Sequence, residues 1–293
     1  MKIYPRLTLR SPLSLSAPAK INWFLNIIGK RKDGYHNIIS LMQRISLYDE
    51  LIFEHSDMIE VVSNVDIPFK ENLVYKAASL LKKYTSYKGG VKIVLLKEIP
   101  IGAGLGGGSS DAAYTLSGLN MLWGLGLNSK KLSSIGKEIG SDVPFFLNAP
   151  CALVEGKGEK IFPCKMNSSI ILTVTKPQIS ISTSLAYMYF DKSKMGNRLT
   201  KKPIDIKLLC RALDNRDFAY LGTMMNNDFE RVIITKYPIV GSIKKRLLDR
   251  GAIISSMTGS GTTVFGVFDS RDTAEKAAEA MKPHWCKVVQ TIV

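Results

Sequence analysis

Hydrophobic residues along the chain follow two spacings, which predicts strands and helices in both halves. The apolar run 91–96 is typical of a strand, whereas Ala112, Ala113, Leu116 and Leu119 recur at helical spacing. The predicted strands are 21–28, 47–53, 91–96, 168–175, 252–256, 263–268 and 287–292, and the predicted helices are 72–83, 109–123, 130–139, 204–213, 239–248 and 273–281. The first residues, with Arg6 and Arg10, are expected to form a strand rather than a cleaved leader.

This order of elements predicts the α+β class with two domains. The chain has 293 residues, enough for two domains with a real core. Its last part, 252–292, has a βαβ-like pattern that indicates a split, ferredoxin-type second domain. We expect the boundary near residues 160–168.

Composition indicates an ordinary globular protein. Hydrophobic residues make up 45% and charged residues 22% of the chain, and no apolar run approaches the roughly 20 residues of a membrane span. Cys151, Cys164, Cys210 and Cys286 are far apart in sequence, so neither a zinc site nor a disulfide framework is expected. This favours a cytoplasmic location. The net charge of +15 comes from scattered residues and favours solubility and mild attraction of anions.

The segment from Pro100 to Ala113 carries the strongest chemical signal, because five glycines fall within the seven positions 102–108. Glycine permits positive φ and has no Cβ that would hold an anion away from backbone amides. A helix that starts at Ser109 or Ser110 would direct its unpaired first-turn amides to the same point. The order of strand, glycine loop and helix therefore predicts a phosphate-binding loop.

The same residues fit other phosphate-binding folds poorly. Gly102, Gly104 and Gly107 fit G-x-G-x-x-G, but a dinucleotide-binding fold also needs an acidic residue roughly 20 positions on. After Asp111 the next acidic residue is Glu138. P-loop and protein-kinase signatures are absent from the sequence. A dehydrogenase and a basic nucleic-acid-binding module remain the alternatives from other classes.

Three further segments must be interpreted together with the glycine loop. Residues 17–22 place Lys20 at the start of a strand, residues 140–146 place Asp142 in an apolar loop, and residues 257–262 form a second glycine turn. In this order the segments resemble the family of galactokinase, homoserine kinase, mevalonate kinase and phosphomevalonate kinase over nearly the whole chain. The strings Asp33-Gly34-Tyr35-His36 and Leu47-Tyr48-Asp49-Glu50 narrow the resemblance to members that act on a cytidine-diphosphate-linked methylerythritol.

The resemblance implies fold and activity. It implies an N-terminal ribosomal-protein-S5-like domain over residues 1–163, which binds ATP and carries the catalytic groups. A C-terminal ferredoxin-like domain over residues 164–293 would lie on the substrate side. The implied reaction is ATP-dependent phosphorylation of the 2-hydroxyl of the cytidyl substrate, in the non-mevalonate route to isoprenoid precursors. Another small-alcohol kinase of the same family is the alternative.

The resemblance also implies roles for individual residues. Asp142 matches the catalytic aspartate and Lys20 the active-site lysine, while Asn22, Tyr35, His36 and Thr183 match substrate-binding positions. The implied nucleotide contacts are Asn72, Lys97, Pro100, Gly102, Ala103, Gly104, Leu105, Gly106, Gly107, Gly108, Ser109 and Ser110. Mg²⁺ is the implied metal, with the Ser110 hydroxyl as one contact and its other ligands unassigned. No nucleic-acid or membrane partner is implied, and the oligomeric state stays open.

Overall fold

The computed structural model describes residues 12–193 and 205–293. The strand expected around Arg6 and Arg10, and the first residue of the helix predicted from 204, lie outside the described residues. Within the described parts of the chain, no helix is both long enough and apolar enough to cross a membrane.

The N-terminal half forms a six-stranded sheet. Its strands are β1 (Leu13–Lys30), β2 (His36–Ser56), β3 (Ile59–Ser63), β4 (Gly90–Leu96), β5 (Cys151–Gly156) and β6 (Lys160–Pro163). They follow the order β3-β4-β2-β5-β6, and β1 also pairs with β2. The first two strands are much longer than predicted. Buried polar residues such as Asn22, Ser40 and Gln43 interrupt their apolar pattern, and three register shifts interrupt their pairing.

In the described part of this half, four α-helices and a short 3₁₀ helix (Phe69–Glu71) accompany the sheet. The α-helices are α1 (Leu73–Thr85), α2 (Gly107–Leu122), α3 (Ser129–Ile139) and α4 (Val143–Phe146). Leu116 and Leu119 of α2 share a buried cluster with Phe53 and Ile93 of the sheet. This packing fixes the start of α2 near the end of β4, where the glycine loop joins the two elements.

The second half forms a four-stranded antiparallel sheet. Its strands are β7 (Ile171–Lys176), β8 (Ile254–Met257), β9 (Val264–Phe268) and β10 (Trp285–Gln290), in the order β10-β7-β9-β8. Its helices are α5 (Thr183–Lys192), α6 (Ile206–Asp214), α7 (Phe218–Met224), α8 (Asp228–Lys236), α9 (Pro238–Asp249) and α10 (Arg271–Glu279). The α+β class is confirmed, and the strand order agrees with the ferredoxin-type expectation, with several helices between β7 and β8.

The strand β1 contacts both halves. The Leu25 amide donates to the Asn226 carbonyl at 2.8 Å, and the Ile27 amide donates to the Asp228 carboxylate at 2.6 Å. The first sheet ends at Pro163 and β7 begins at Ile171. The domain boundary between 163 and 164 is compatible with this arrangement and stays a prediction.

Candidate active site

The glycine loop lies between β4 and α2 and turns through left-handed backbone. Gly102, Gly104 and Gly106 have φ values of 63°, 76° and 72°. Helix α2 begins at Gly107, two residues earlier than expected, because Gly106 serves as its N-cap in left-handed conformation. No side chain caps this helix start, so the first-turn amides from Gly107 onward have no acceptor within the helix. Free amides at a helix start are the kind of group that can bind an anion, so the predicted phosphate contact stays a prediction.

The loop packs closely on the second glycine turn, residues 257–262. A Cβ on Gly104 would lie 2.4 Å from the Thr258 carbonyl oxygen, and one on Gly259 would lie 2.8 Å from the Gly104 carbonyl oxygen. The Thr263 amide also donates to the Ala103 carbonyl at 3.3 Å. Glycine is therefore required at these positions by both φ and close approach.

Lys20 connects the glycine loop to Asp142. Its buried Nζ donates to the Asn22 Oδ1 at 2.7 Å and to the Gly104 carbonyl at 2.9 Å. The same nitrogen lies 3.8 Å from an Asp142 carboxylate oxygen. Burial lowers the pKa of Lys20, whereas the charge of Asp142 acts against that shift. The ammonium thus donates hydrogen bonds to two oxygens and forms an ion pair with a third.

Asp142 stands at the N-terminal end of α4 and its carboxylate does not cap the helix. Its side chain is 26% exposed, against 4% for that of Lys20. The carboxylate is therefore reachable from solvent while its lysine partner is not. A carboxylate in this setting can accept a proton or orient a hydroxyl group.

Asn22 is buried beneath this pair and uses its side chain on protein groups. Its Oδ1 accepts from Lys20 and, at 3.3 Å, from the Thr258 hydroxyl. Its Nδ2 donates to Ser40 Oγ at 2.8 Å. These contacts orient Lys20. The predicted hydrogen bond from Asn22 to a substrate polyol stays a prediction.

Tyr35 and His36 lie next to each other but have different surroundings. The Tyr35 ring is 61% exposed and lies 4.4 Å from Lys157 Nζ. The buried His36 Nε2 lies 2.7 Å from an Asp191 oxygen, and its ring stacks on Tyr187 with centroids 4.6 Å apart. No local pattern pointed to Tyr187 or Asp191, because both lie on α5, and Asp191 is 155 residues from His36.

The carboxylates of Asp142 and Asp191 both act on Tyr187. Burial, followed by the charges of Asp142 and Asp191, raises the pKa of Tyr187 to about 12. Burial favours the neutral form of Asp191, but hydrogen bonds from Lys30 and His36 outweigh it and lower the pKa of Asp191. Tyr187 therefore stacks on His36 and is also influenced by the charge of Asp142.

Asn72 and Lys97 make contacts that do not require a nucleotide. The Asn72 side chain caps α1 by accepting from the amides of Val74 and Tyr75 at 3.0 and 3.3 Å. The Lys97 Nζ forms buried ion pairs with Asp49 and, at 2.8 Å, with Asp111. Nucleotide contacts by Asn72 and Lys97 stay predictions, and each residue also has a structural role.

The remaining predicted residues lie around the loop. The Thr183 hydroxyl at the start of α5 lies 3.1 Å from the Ser260 hydroxyl, which joins α5 to the second glycine turn. Ser110 is fully buried and its Oγ has no hydrogen-bond partner. Within residues 12–193 and 205–293, no group of three or more His, Cys, Asp or Glu side chains is arranged to hold a metal ion.

Two family models match the chain. Residues 72–149 match the GHMP kinases N terminal domain, and residues 207–287 match the GHMP kinases C terminal model. The first region includes the glycine loop and Asp142. The name GHMP refers to galactokinase, homoserine kinase, mevalonate kinase and phosphomevalonate kinase.

Full-length relatives and solved structures agree with these matches. A 4-diphosphocytidyl-2-C-methyl-D-erythritol kinase from Thermodesulfovibrio yellowstonii is 46% identical, covering 96% of this chain and 98% of the relative. One from Acetivibrio thermocellus is 39% identical, covering 96% and 99%. A crystal structure of 4-(cytidine 5'-diphospho)-2C-methyl-D-erythritol kinase has a TM-score of 0.78 at 30% identity, covering 94% and 99%.

More distant structures share the fold. The homoserine kinase from Cytophaga hutchinsonii has a TM-score of 0.71 at 20% identity, covering 100% of this chain and 98% of that structure. Taken with the family models and the full-length relatives, these findings show that the chain belongs to the GHMP kinase family, in the group of the 4-diphosphocytidyl-2-C-methyl-D-erythritol kinases.

Proposed function

We propose that the protein transfers the γ-phosphoryl group of ATP to the 2-hydroxyl of 4-diphosphocytidyl-2-C-methyl-D-erythritol. The observation that carries this proposal is the 46% identity, over 96% of the chain, to a kinase of that name. The contacts of Lys20 with the glycine loop and with Asp142 support it, because they bring a cation, a carboxylate and an anion-binding loop together. The free cysteines support a cytoplasmic location.

Asp142 is the proposed proton acceptor. Its carboxylate would accept the proton of the attacking hydroxyl or align that hydroxyl for in-line attack. The Lys20 ammonium, 3.8 Å away, would compensate negative charge that develops on the attacking oxygen. Asn22 and the Gly104 carbonyl would keep that ammonium fixed.

The loop from Pro100 to Ser110 is the proposed phosphate cradle, and it fits a polyphosphate. Positive φ at Gly102, Gly104 and Gly106 and the uncapped start of α2 suit this role. ATP supplies the transferred phosphoryl group when bound. The buried, unpartnered Ser110 Oγ suits a metal or phosphate contact, and Mg²⁺ would otherwise be held largely by ATP oxygens and water.

Tyr35 and His36 are the proposed cytosine-binding pair. An exposed tyrosine ring can stack on a base, and a histidine fixed by Asp191 can hydrogen-bond to its edge. A small-alcohol kinase without a nucleotide-linked acceptor would have no use for this pair. Thr183 would contact the polyol or its phosphates from the start of α5.

The proposal is tested by ATP consumption with purified protein and Mg²⁺. The diphosphocytidyl alcohol should support turnover, while mevalonate and homoserine should not rise above the rate without an acceptor. Equal or faster turnover of mevalonate or homoserine would favour the alternative within the family. Absence of turnover with all three acceptors would reject the kinase assignment.

A further inference from the structure

Asp49 is a fully buried residue of β2, and no step of the proposed phosphoryl transfer uses it. Its Oδ1 accepts from the Glu98 amide at 2.6 Å and from the Ile99 amide at 2.8 Å. Its Oδ2 accepts from the Lys97 ammonium. Both oxygens of one buried carboxylate are thus bound to three consecutive residues, which connect the end of β4 to the glycine loop.

The segment that Asp49 binds packs against the first residue of α2. A Cβ on Gly107 would lie 2.8 Å from Ile99 Cγ2 and 3.1 Å from Lys97 Nζ. The same Nζ donates to Asp111 Oδ2 at 2.8 Å, one turn further along the helix. The contacts of Asp49 therefore help to determine where the first turn of α2 lies, and the amides of that turn are proposed to bind phosphate.

The two carboxylates that share Lys97 use their oxygens differently. Asp49 needs one oxygen for the backbone amides and the other for the ammonium. Asp111 binds the ammonium through Oδ2 alone, and its buried Oδ1 has no hydrogen-bond partner among the described residues. A side-chain amide has one acceptor oxygen, whereas a carboxylate has two. Asparagine can therefore keep the contact of Asp111 with Lys97, but at position 49 it must give up either the ammonium or the backbone amides.

We propose that Asp49 is a positioning residue for the phosphate-binding loop, and that both of its oxygens are needed for this role. Its carboxylate fixes the backbone at the entry to the loop and, through the Lys97 ammonium, the first turn of α2. The proposal rests on the proposed function, because it assumes that this loop binds the phosphates of ATP. Loss of Asp49 should weaken nucleotide binding and spare the cytidyl end of the acceptor, whose proposed contacts, Tyr35 and His36, lie outside this cluster.

The test is isothermal titration calorimetry with full-length Asp49→Asn and its matched control Asp111→Asn. At about pH 8 Asp111 is mostly ionised, since its pKa is about 7, so each variant removes one negative charge from the same buried cluster. Asp49→Asn should raise the Kd of a non-hydrolysable ATP analogue with Mg²⁺ at least about tenfold, because a hydrogen bond to a charged group is lost. Asp111→Asn should keep the wild-type Kd, and both variants should bind cytidine diphosphate as wild type does.

Three results would overturn the proposal. The first is wild-type affinity of Asp49→Asn for the ATP analogue, and the second is an equal loss in Asp111→Asn. The third is a parallel loss of affinity for cytidine diphosphate, which would indicate a general structural defect. If the wild-type protein itself did not bind the ATP analogue, the proposed function would fail together with this proposal, so the two kinds of failure are distinguishable.

Hydrogen exchange in the unliganded wild-type protein tests the proposal without any variant that could fail to fold. Glu98 and Ile101 are both exposed residues on the same connection, but the Glu98 amide donates to the buried Asp49 carboxylate. Measured at single residues, the protection factors of the Glu98 and Ile99 amides should exceed that of Ile101 at least about tenfold. Equal protection would show that Asp49 does not fix the entry to the loop, and would overturn the proposal.

Discussion

Asp111 shows how a single buried residue near the glycine loop can make stability depend on pH. Its carboxylate shares Lys97 with Asp49, and all three side chains are almost fully buried. Burial raises the pKa of Asp111 to about 7, with Lys97 opposing the shift and Asp49 adding to it. When Asp111 is protonated, the Lys97 ammonium and the Asp49 carboxylate balance each other. When Asp111 is ionised, the three side chains together carry one uncompensated negative charge.

Replacing Asp111 with asparagine should therefore change how stability varies with pH. The pKa of Asp111 in the folded protein exceeds its value of about 3.9 in the unfolded chain. Protonated Asp111 therefore contributes to the free energy of unfolding in full below about pH 4, and this contribution is lost as the pH rises through about 7. The Asp111→Asn variant should gain roughly one to a few kcal/mol relative to wild type across that window, since its side chain stays neutral. Urea unfolding at several pH values measures this.

The control for this experiment is Asp57→Asn, at an exposed position beyond β2. Its stability relative to wild type should hardly vary with pH. A constant difference between Asp111→Asn and wild type from acid to neutral pH would show that Asp111 is already ionised in acid.

The role of the exposed Tyr35 side chain can also be tested by a single substitution. If its exposed ring stacks on cytosine, Tyr35→Ala should raise the KM for the diphosphocytidyl substrate roughly 5- to 150-fold, since a base–aromatic stack is worth about 1–3 kcal/mol. The kcat should change little. Steady-state kinetics with Tyr84→Ala, an exposed tyrosine of α1, provides the comparison. An unchanged KM would remove Tyr35 from the substrate site.

The glycine loop can be tested as an element by comparing two glycines of similar backbone conformation. Gly104 and Gly124 have φ values of 76° and 64°. A Cβ on Gly104 would collide with the Thr258 carbonyl, whereas one on Gly124 would meet nothing within 4 Å. Both alanine variants should lose about 1–2 kcal/mol of stability from the left-handed backbone.

Only Gly104→Ala should also disturb the loop and its contact with Lys20. Its kcat/KM for ATP should fall at least about tenfold, which corresponds to roughly 1.4 kcal/mol, while Gly124→Ala should keep near-wild-type turnover. Initial rates over a range of ATP concentrations test this. Equal activity of the two variants would mean that the close packing at Gly104 is unimportant for nucleotide use.

The positions of helices and strands could be predicted where hydrophobic residues recur at a regular spacing. Prediction failed where polar residues are buried. The helix after the glycine loop was predicted, but its start was not, because a left-handed Gly106 replaces the serine cap. The long strands β1 and β2 were predicted only in part, since Asn22 and Ser40 are satisfied by partners far away in sequence. Such partners cannot be identified from local pattern.

At the scale of the whole molecule, contacts between distant segments determine the site. The sequence motifs indicated Lys20, Asp142 and the glycine loop, and the fold brings them together. It also adds Tyr187 and Asp191 beside His36, and it gathers three cysteines that the spacing had suggested were separate. No single-sequence pattern links residues that lie on different halves of the chain.

Ligand binding should stabilise the whole molecule. An ATP analogue with Mg²⁺, and separately cytidine diphosphate, should each raise the melting temperature, because a ligand at a hundred times its Kd adds about 2.7 kcal/mol. For a chain of this length we expect a shift of several degrees. NAD should give no shift in the same thermal assay. Protection by NAD without protection by the ATP analogue would instead support a dehydrogenase, and protection by an RNA oligomer alone would support a nucleic-acid-binding module.

Phosphoryl transfer at Asp142 is tested most directly by comparing Asp142→Asn with wild type in the same kinase assay. The variant should lower kcat for the diphosphocytidyl substrate by about 10²–10⁴, while the Kd of an ATP analogue stays within a few-fold, since the glycine loop is unchanged. Exposed Asp57→Asn should match wild type in both measurements. Wild-type turnover by Asp142→Asn would contradict the assignment of Asp142 to the reacting hydroxyl.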